Sequence, residues 1–293
     1  MSLTFGNSLK GEQVLVAGPW LADSTSLVRE SYEGWAVLPG YTARYVKVGL
    51  GPPVILVHGL AGGVGLLTPL MNELAAFCRT IAYHSRGEDD PFMVRRPFDL
   101  DDLAGDLADF ADHLGLERPI VVGVSLGAVV ALKCAARFPF RFQALIVEGV
   151  DVRFEKTLLR QIASYVLRGY PLPTNSPFIN QFVNLLFGSR PRDETLFRFV
   201  VRECWRTDQS VMAHRFRLAE RFDLRAELSR VQVPVTVVHG RRDVLVSRKG
   251  LQALLHGLPE ARLIELPDAG HLAFVTHAAS MADIVGRTVE EFC

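Results

Sequence analysis

Three residue types that together perform nucleophilic catalysis recur in this chain in a suggestive order. Ser125 stands at the centre of Gly123-Val124-Ser125-Leu126-Gly127, Asp243 closes His239-Gly240-Arg241-Arg242-Asp243, and His271 closes Asp268-Ala269-Gly270-His271. A serine hydroxyl is a poor nucleophile at neutral pH. It needs an adjacent base, a carboxylate to orient that base, and N–H donors for the oxyanion that develops on the attacked carbonyl. His271 is the expected base and Asp243 the expected orienting acid, holding the correct tautomer and stabilising the imidazolium. The oxyanion donors are expected to be the backbone N–H groups of Leu126, the residue after the nucleophile, and Leu60 in the loop His58-Gly59-Leu60-Ala61-Gly62-Gly63. Glu148 and Asp151 follow another apolar run and remain open as substitutes for Asp243.

Other chemistries have less support. No H-x-x-x-H or H-E-x-x-H pair exists, so no metal site is expected. The glycine-rich stretch from Gly59 to Gly65 lacks both G-x-G-x-x-G and a following Lys-Ser/Thr, which argues against a phosphate cradle. His58 is expected to brace its loop through hydrogen bonds rather than to act on substrate. His113, His214, His256 and His277 fall on expected helices, and His239 is tied to the end of a strand.

These side chains need a frame that brings distant segments to one edge. Val54–Val57, Thr80–Tyr83, Pro119–Val122, Ala144–Val147, Val233–Val238 and Ala261–Leu266 are short β-rich runs separated by helical patterns. That alternation predicts a mostly parallel sheet flanked by helices on both faces, with all six runs fully buried. Ser125, Asp243 and His271 each follow such a run, at the carboxyl edge of the sheet. Further strands are expected near Val14–Ala17 and Ala43–Val48. Leu100, Leu103, Leu107, Phe110, Ala111 and Leu114 recur at helical spacing, with Asp99 as N-cap and Asp101, Asp102, Asp106 and Asp109 on the opposite face. A second helix should run from just after Ser125 to about Phe138, before Pro139.

The alternation breaks between about Val152 and Arg230, where helical patterns, a Pro-rich turn at Tyr170–Pro177 and an excess of about six positive charges appear. The expected organisation is a core domain of residues 1–151 and 231–293 with residues 152–230 inserted as a helical cap. Phe178, Phe182, Phe187, Phe197, Phe199 and Trp205 would either form that insert's own core or line a hydrophobic pocket beneath it.

Composition narrows the partner. The 293 residues are 49% hydrophobic and 22% charged, enough to bury a full core. Lys plus Arg (32) equals Asp plus Glu (32), which offers no field for nucleic acid or an anionic membrane. Cys78, Cys134, Cys204 and Cys293 lie far apart without a C-x-x-C pair, and Met1–Gln13 shows no basic-then-apolar leader. No apolar run is long enough to span a bilayer. A cytoplasmic protein acting on a small molecule is expected.

From about Tyr45 to Cys293 the chain resembles the α/β-hydrolase superfamily, in particular its cofactor-free, cap-bearing, esterase-like branch. The resemblance rests on Gly51-Pro52-Pro53-Val54-Ile55-Leu56-Val57-His58-Gly59, on the Ser125 motif, on Gly240-Arg241-Arg242-Asp243 and on Asp268-Ala269-Gly270-His271, in the family's Ser, Asp, His order. One departure is visible. Members commonly carry Asp-x-Arg-Gly-x-Gly where this chain has His84-Ser85-Arg86-Gly87-Glu88-Asp89. Serine at position 125 also separates it from the dehalogenases and epoxide hydrolases of this fold, which use aspartate.

The resemblance implies hydrolysis of a carboxylic ester of a small hydrophobic or aromatic substrate through an acyl-serine, without a cofactor. Two alternatives stay open: carbon–carbon bond hydrolysis of a dioxo acid from aromatic ring cleavage, for which a basic cap would hold a carboxylate, and a non-catalytic ligand-binding member of the fold.

Overall fold

A computed structural model describes residues 13–15, 31–95, 98–154, 161–162, 165–166, 177–188, 193–258 and 260–293. Val16 and Ala17 at the end of the first expected strand and most of the turn at Tyr170–Pro177 lie outside these, as does the side chain of Phe178.

Nine strands form one sheet in the order β1-β2-β3-β5-β4-β6-β7-β8-β9. They are β1 (Gln13–Leu15), β2 (Ser31–Leu38), β3 (Tyr41–Val48), β4 (Pro53–Val57), β5 (Arg79–Tyr83), β6 (Ile120–Val124), β7 (Leu145–Glu148), β8 (Val235–Gly240) and β9 (Ala261–Leu266). β1, β2 and β3 pair antiparallel and β3 joins β5 antiparallel, whereas β5-β4-β6-β7-β8-β9 is parallel throughout.

The α-helices whose bounds lie within the described residues are α1 (Gly63–Leu74), α2 (Leu100–His113), α3 (Leu126–Arg137), α4 (Pro177–Leu186), α5 (Glu194–Arg206), α6 (Gln209–Ala219), α7 (Arg248–Gly257), the single turn α8 (Ala273–Thr276) and α9 (Ala278–Phe292). α2, α3 and α7 cover one face of the sheet, α1 and α9 the other. The pleat explains why the central strands read as unbroken apolar runs. Ile55, Val57, Val121, Leu145 and Val147 enter the first core, while Val54, Leu56, Ile120, Val122 and Ile146 enter the second.

Local signals set the helix starts. The Asp99 carboxylate accepts the N–H groups of Asp101 and Asp102 (2.8 and 2.9 Å), and Asp102 returns a bond to Asp99 N–H (2.8 Å), a reciprocal capping box. α3 begins directly after Ser125 and ends before Pro139.

Four expectations need correction. β9 is not buried: it is the outer strand of the sheet, and Leu263 is 40% exposed. Asp106 does not face solvent with its neighbours on α2 but is buried, gripped by Arg86 through Nε (2.6 Å) and Nη2 (2.8 Å). β2 has no counterpart among the expected strands, because Gly34 breaks its apolar pattern; that glycine lies against the Tyr45 ring, where a Cβ would collide. His277 is the N-cap of α9 rather than part of a helix.

Between β7 and β8 the described chain includes α4, α5 and α6; Val183 and Leu186 of α4 and Phe199 and Val200 of α5 pack in the same core as α1, and Leu218 of α6 packs in the other. No described helix is long and apolar enough to cross a membrane.

Candidate active site

Strand β6 delivers Ser125 in a turn between strand and helix with φ 53° and ψ −118°, a conformation that costs a non-glycine residue about 1–3 kcal/mol. Packing on both sides maintains it. Ser125 N–H donates to Glu148 O at the end of β7 (2.8 Å). Gly127 lies so close to the carbonyls of Val57 and His58 that no Cβ would fit, and a Cβ at Gly123 would press on Ala128. The two glycines of the motif therefore let α3 approach β4 and bring the elbow against the loop that follows β4.

His271 enters from the loop after β9, its N–H donating to Leu186 O on α4 (2.8 Å). Its Nε2 lies 2.9 Å from Ser125 Oγ and its Nδ1 lies 2.8 Å from Asp243 Oδ2. This network assigns Nδ1–H as donor to Asp243 and leaves Nε2 as acceptor of the Ser125 hydroxyl hydrogen bond. Asp243 follows β8, and its second oxygen accepts Leu245 N–H (2.7 Å) and Val246 N–H (3.2 Å). Burial alone would raise this carboxyl, but the adjacent His271 and the two N–H donors outweigh it and hold the group below its ordinary range. Asp243 is thus an ionised, fully buried acceptor aimed at the imidazole.

The structure brings together Ser125, His271 and Asp243, and assigns the other two acids elsewhere. Asp151 accepts Val152 N–H (2.7 Å) and both the N–H and hydroxyl of Ser247 (3.2 Å each), tying β7 to the N-terminus of α7. Glu148 points into the interior, where Oε1 accepts Ala273 N–H (3.2 Å). Leu60 and Leu126 both line the cavity that contains Ser125, and their N–H groups find no protein acceptor among the described residues.

That cavity has a volume of about 200 Å³. Its wall is almost wholly apolar: Phe154, Phe182, Trp205, Met212, Phe216 and Phe222 face the Ser125–His271 pair. The sequence pattern singles out Phe182 and Trp205 but not Phe154, Met212, Phe216 or Phe222. Phe187 and Phe199 are buried in packing instead, and Phe187 stacks near Phe197 with centroids 6.1 Å apart.

A model of the alpha/beta hydrolase fold matches residues 52–278. The chain belongs to the α/β hydrolase fold family. Among curated relatives, it is 24% identical to AB hydrolase superfamily protein YisY of Bacillus subtilis over 82% of this chain and 92% of that one. It is 28% identical to the pimeloyl-[acyl-carrier protein] methyl ester esterase of Nitrosomonas europaea over 78% and 92% of the two chains. The crystal structure of a hydrolase from Pseudomonas aeruginosa PA01 superimposes with a TM-score of 0.76 at 21% identity, covering 88% of this chain and 98% of that one.

Within this α/β hydrolase, the departing segment His84–Asp89 acquires a structural account. Arg86 holds Asp106, while Glu88 turns inward: its Oε1 accepts Arg215 Nη1 (2.8 Å) and its Oε2 lies 3.2 Å from His58 Nε2. Burial would raise the Glu88 carboxyl, but the charges of His58 and Arg215 outweigh it and hold it well below the ordinary carboxylate range. His58 braces its loop, with Nδ1 2.9 Å from Gly59 O and Nε2 3.0 Å from Ser85 Oγ. Neither Glu88 nor Arg215 carried a sequence signal beyond the altered motif.

Proposed function

We propose that this protein is a serine hydrolase that cleaves a carboxylic ester with a hydrophobic or aromatic acyl group. The observation that carries this reading is the unbroken relay Ser125 Oγ–His271 Nε2 (2.9 Å) and His271 Nδ1–Asp243 Oδ2 (2.8 Å), opening onto an apolar cavity. Ser125 Oγ attacks the ester carbonyl as His271 Nε2 takes its proton, and Asp243 stabilises the imidazolium. The tetrahedral oxyanion is received by Leu60 N–H and Leu126 N–H, each such donor contributing about 3–4 kcal/mol. Collapse expels the alcohol, which leaves with the proton from His271. Water, deprotonated by the same nitrogen, then hydrolyses acyl-Ser125. No cofactor enters any step.

Residues 152–230 act as the cap, with Phe182, Trp205, Met212 and Phe216 supplying the roof of the acyl pocket. Among the described residues that line the pocket there is no lysine or arginine to pair with the carboxylate of a dioxo acid, whereas the aromatic lining suits an apolar acyl group. This favours ester over carbon–carbon bond cleavage. The intact relay likewise favours an enzyme over a binding-only member. The free Cys78, Cys134, Cys204 and Cys293 fit a reducing cytoplasm and a small-molecule substrate met there.

The test is a panel of p-nitrophenyl esters of graded acyl length run beside a dioxo-acid substrate, with fluorophosphonate labelling of Ser125. Ester turnover with Ser125-dependent labelling is expected. Consumption of the dioxo acid alone, or no labelling, would overturn the reading.

A further inference from the structure

The loop from Gly59 to Gly62 carries the Leu60 N–H between β4 and α1; at its far end Gly62 O accepts Leu66 N–H (3.0 Å), the first bond of α1, but no ladder or helical bond is made by Gly59, Leu60 or Ala61 themselves. Side chains hold the loop instead. His58 Nδ1 meets Gly59 O at 2.9 Å, Arg215 Nη1 reaches Leu60 O at 3.4 Å, and Gly62 N–H donates to Thr207 Oγ1 at 2.9 Å. Two of these three pins come from the segment between β7 and β8: Thr207 is the C-cap of α5 and Arg215 lies in α6.

Both pins are buried side chains. The Arg215 side chain is 1% exposed, and its guanidinium also donates to Glu88 Oε1 (2.8 Å), Ser85 Oγ (2.7 Å) and Arg86 O (3.1 Å). The Glu88 carboxylate in turn underlies the loop, since a Cβ at Gly63 would lie 2.8 Å from Oε2. A buried arginine with its donors this fully engaged binds α6, the segment after β5 and the Leu60 loop into one unit.

We propose, building on the esterase reading above, that Thr207 and Arg215 are positioning residues that hold the Leu60 N–H in its oxyanion-receiving pose. The cap is then a fixed clamp on the catalytic machinery as well as the roof of the pocket. The altered motif His84–Asp89 supplies the clamp's lower jaw, because Glu88 and Ser85 are what Arg215 grips. A displaced oxyanion donor is felt in the transition state and little in substrate binding, so loosening a pin should depress kcat and spare KM.

The experiment compares the full-length parent with Thr207→Val, which exchanges the hydroxyl for a methyl group of similar size, and Thr207→Ser, which keeps the hydroxyl. Initial rates are measured with the best p-nitrophenyl ester, and inhibition with a trifluoromethyl ketone carrying the same acyl chain. Thr207→Val should lose about 10- to 100-fold in kcat with KM within about twofold, and bind the ketone more weakly in parallel, while Thr207→Ser stays near the parent. A folded Thr207→Val with parental kcat, or one in which only KM rises, overturns the proposal. Should Thr207→Val fail to fold, Arg215→Lys is read by the same criteria, since lysine keeps the charge but cannot reach Glu88, Ser85 and Leu60 O together.

Amide hydrogen exchange at residues 59–62 separates this proposal from the esterase reading itself. If the parent turns over no ester and Ser125 does not label, the functional reading fails. Faster exchange in Thr207→Val would still uphold the clamp, whereas unchanged exchange would end it.

Discussion

Replacing Glu148 with glutamine examines a buried carboxyl that the proposed chemistry does not use. Glu148 is inaccessible at the end of β7, with Oε1 on Ala273 N–H and no hydrogen-bond partner for Oε2 among the described residues. Burial, opposed by His271 and assisted by the charge of Asp243, pushes this carboxyl from its ordinary 4.5 up to about 8. The unfolded chain releases the proton near 4.5, so between that value and about 8 the folded protein holds a proton that the unfolded chain has lost. The sign follows from linkage. The advantage of the neutral acid is fully present below the unfolded value, and stability falls as pH rises through the window up to the folded value. At about 1.4 kcal/mol per pH unit, the loss accumulated between pH 5 and pH 9 is about 4 kcal/mol. Glutamine is neutral throughout and still offers an oxygen to Ala273 N–H. Urea unfolding of parent and Glu148→Gln at pH 5, 7 and 9 should therefore show the variant gaining about 4 kcal/mol on the parent across that range. Parallel stability curves would mean that Glu148 is ionised in the fold at neutral pH and that the reasoning fails.

Ser125→Ala should abolish ester turnover without unfolding the protein, checked by initial rates and circular dichroism. His271→Ala should lose about as much, and the double variant little more, because the relay acts as a unit; additive losses in kcat would place His271 elsewhere in the mechanism. Each methylene added to the acyl chain and buried against Phe182, Trp205 and Phe216 should contribute up to about 0.8 kcal/mol, roughly fourfold in kcat/KM, until the cavity of about 200 Å³ is filled. A profile falling from acetyl upward would show that these aromatics do not contact the acyl group. Asp99→Ala should cost about 1 kcal/mol in urea unfolding while leaving kcat unchanged, since Asp99 caps α2 and does not line the cavity around Ser125. No loss of stability would refute the role of the capping box.

The features legible in the amino-acid sequence are those that neighbouring residues determine. Gly123, Ser125 and Gly127 specify a strained strand-to-helix turn within five positions, and the Asp99 cap lies within three residues of its partner Asp102, so both could be read directly. The parallel core was equally legible, because strands covered on both faces must be apolar at every position. β9 departs from that rule in its own residues: Arg262 and Glu265 interrupt its apolar positions, as suits the outer strand with one sheet neighbour.

Tertiary structure decided whatever depends on partners distant in the chain. Asp243 and Asp151 follow parallel strands and Glu148 ends one, and only their three-dimensional directions select Asp243 for His271 and send the other two to Ala273 and Ser247. Helical periodicity assigned Asp106 to solvent because it cannot register Arg86, 20 residues earlier and across a turn. Glu88 and Arg215 are 127 residues apart, and neither has a local reason to be buried. Only their meeting beneath the Leu60 loop makes each tolerable to the other, since a charge leaves water only when another charge and a set of hydrogen bonds replace it.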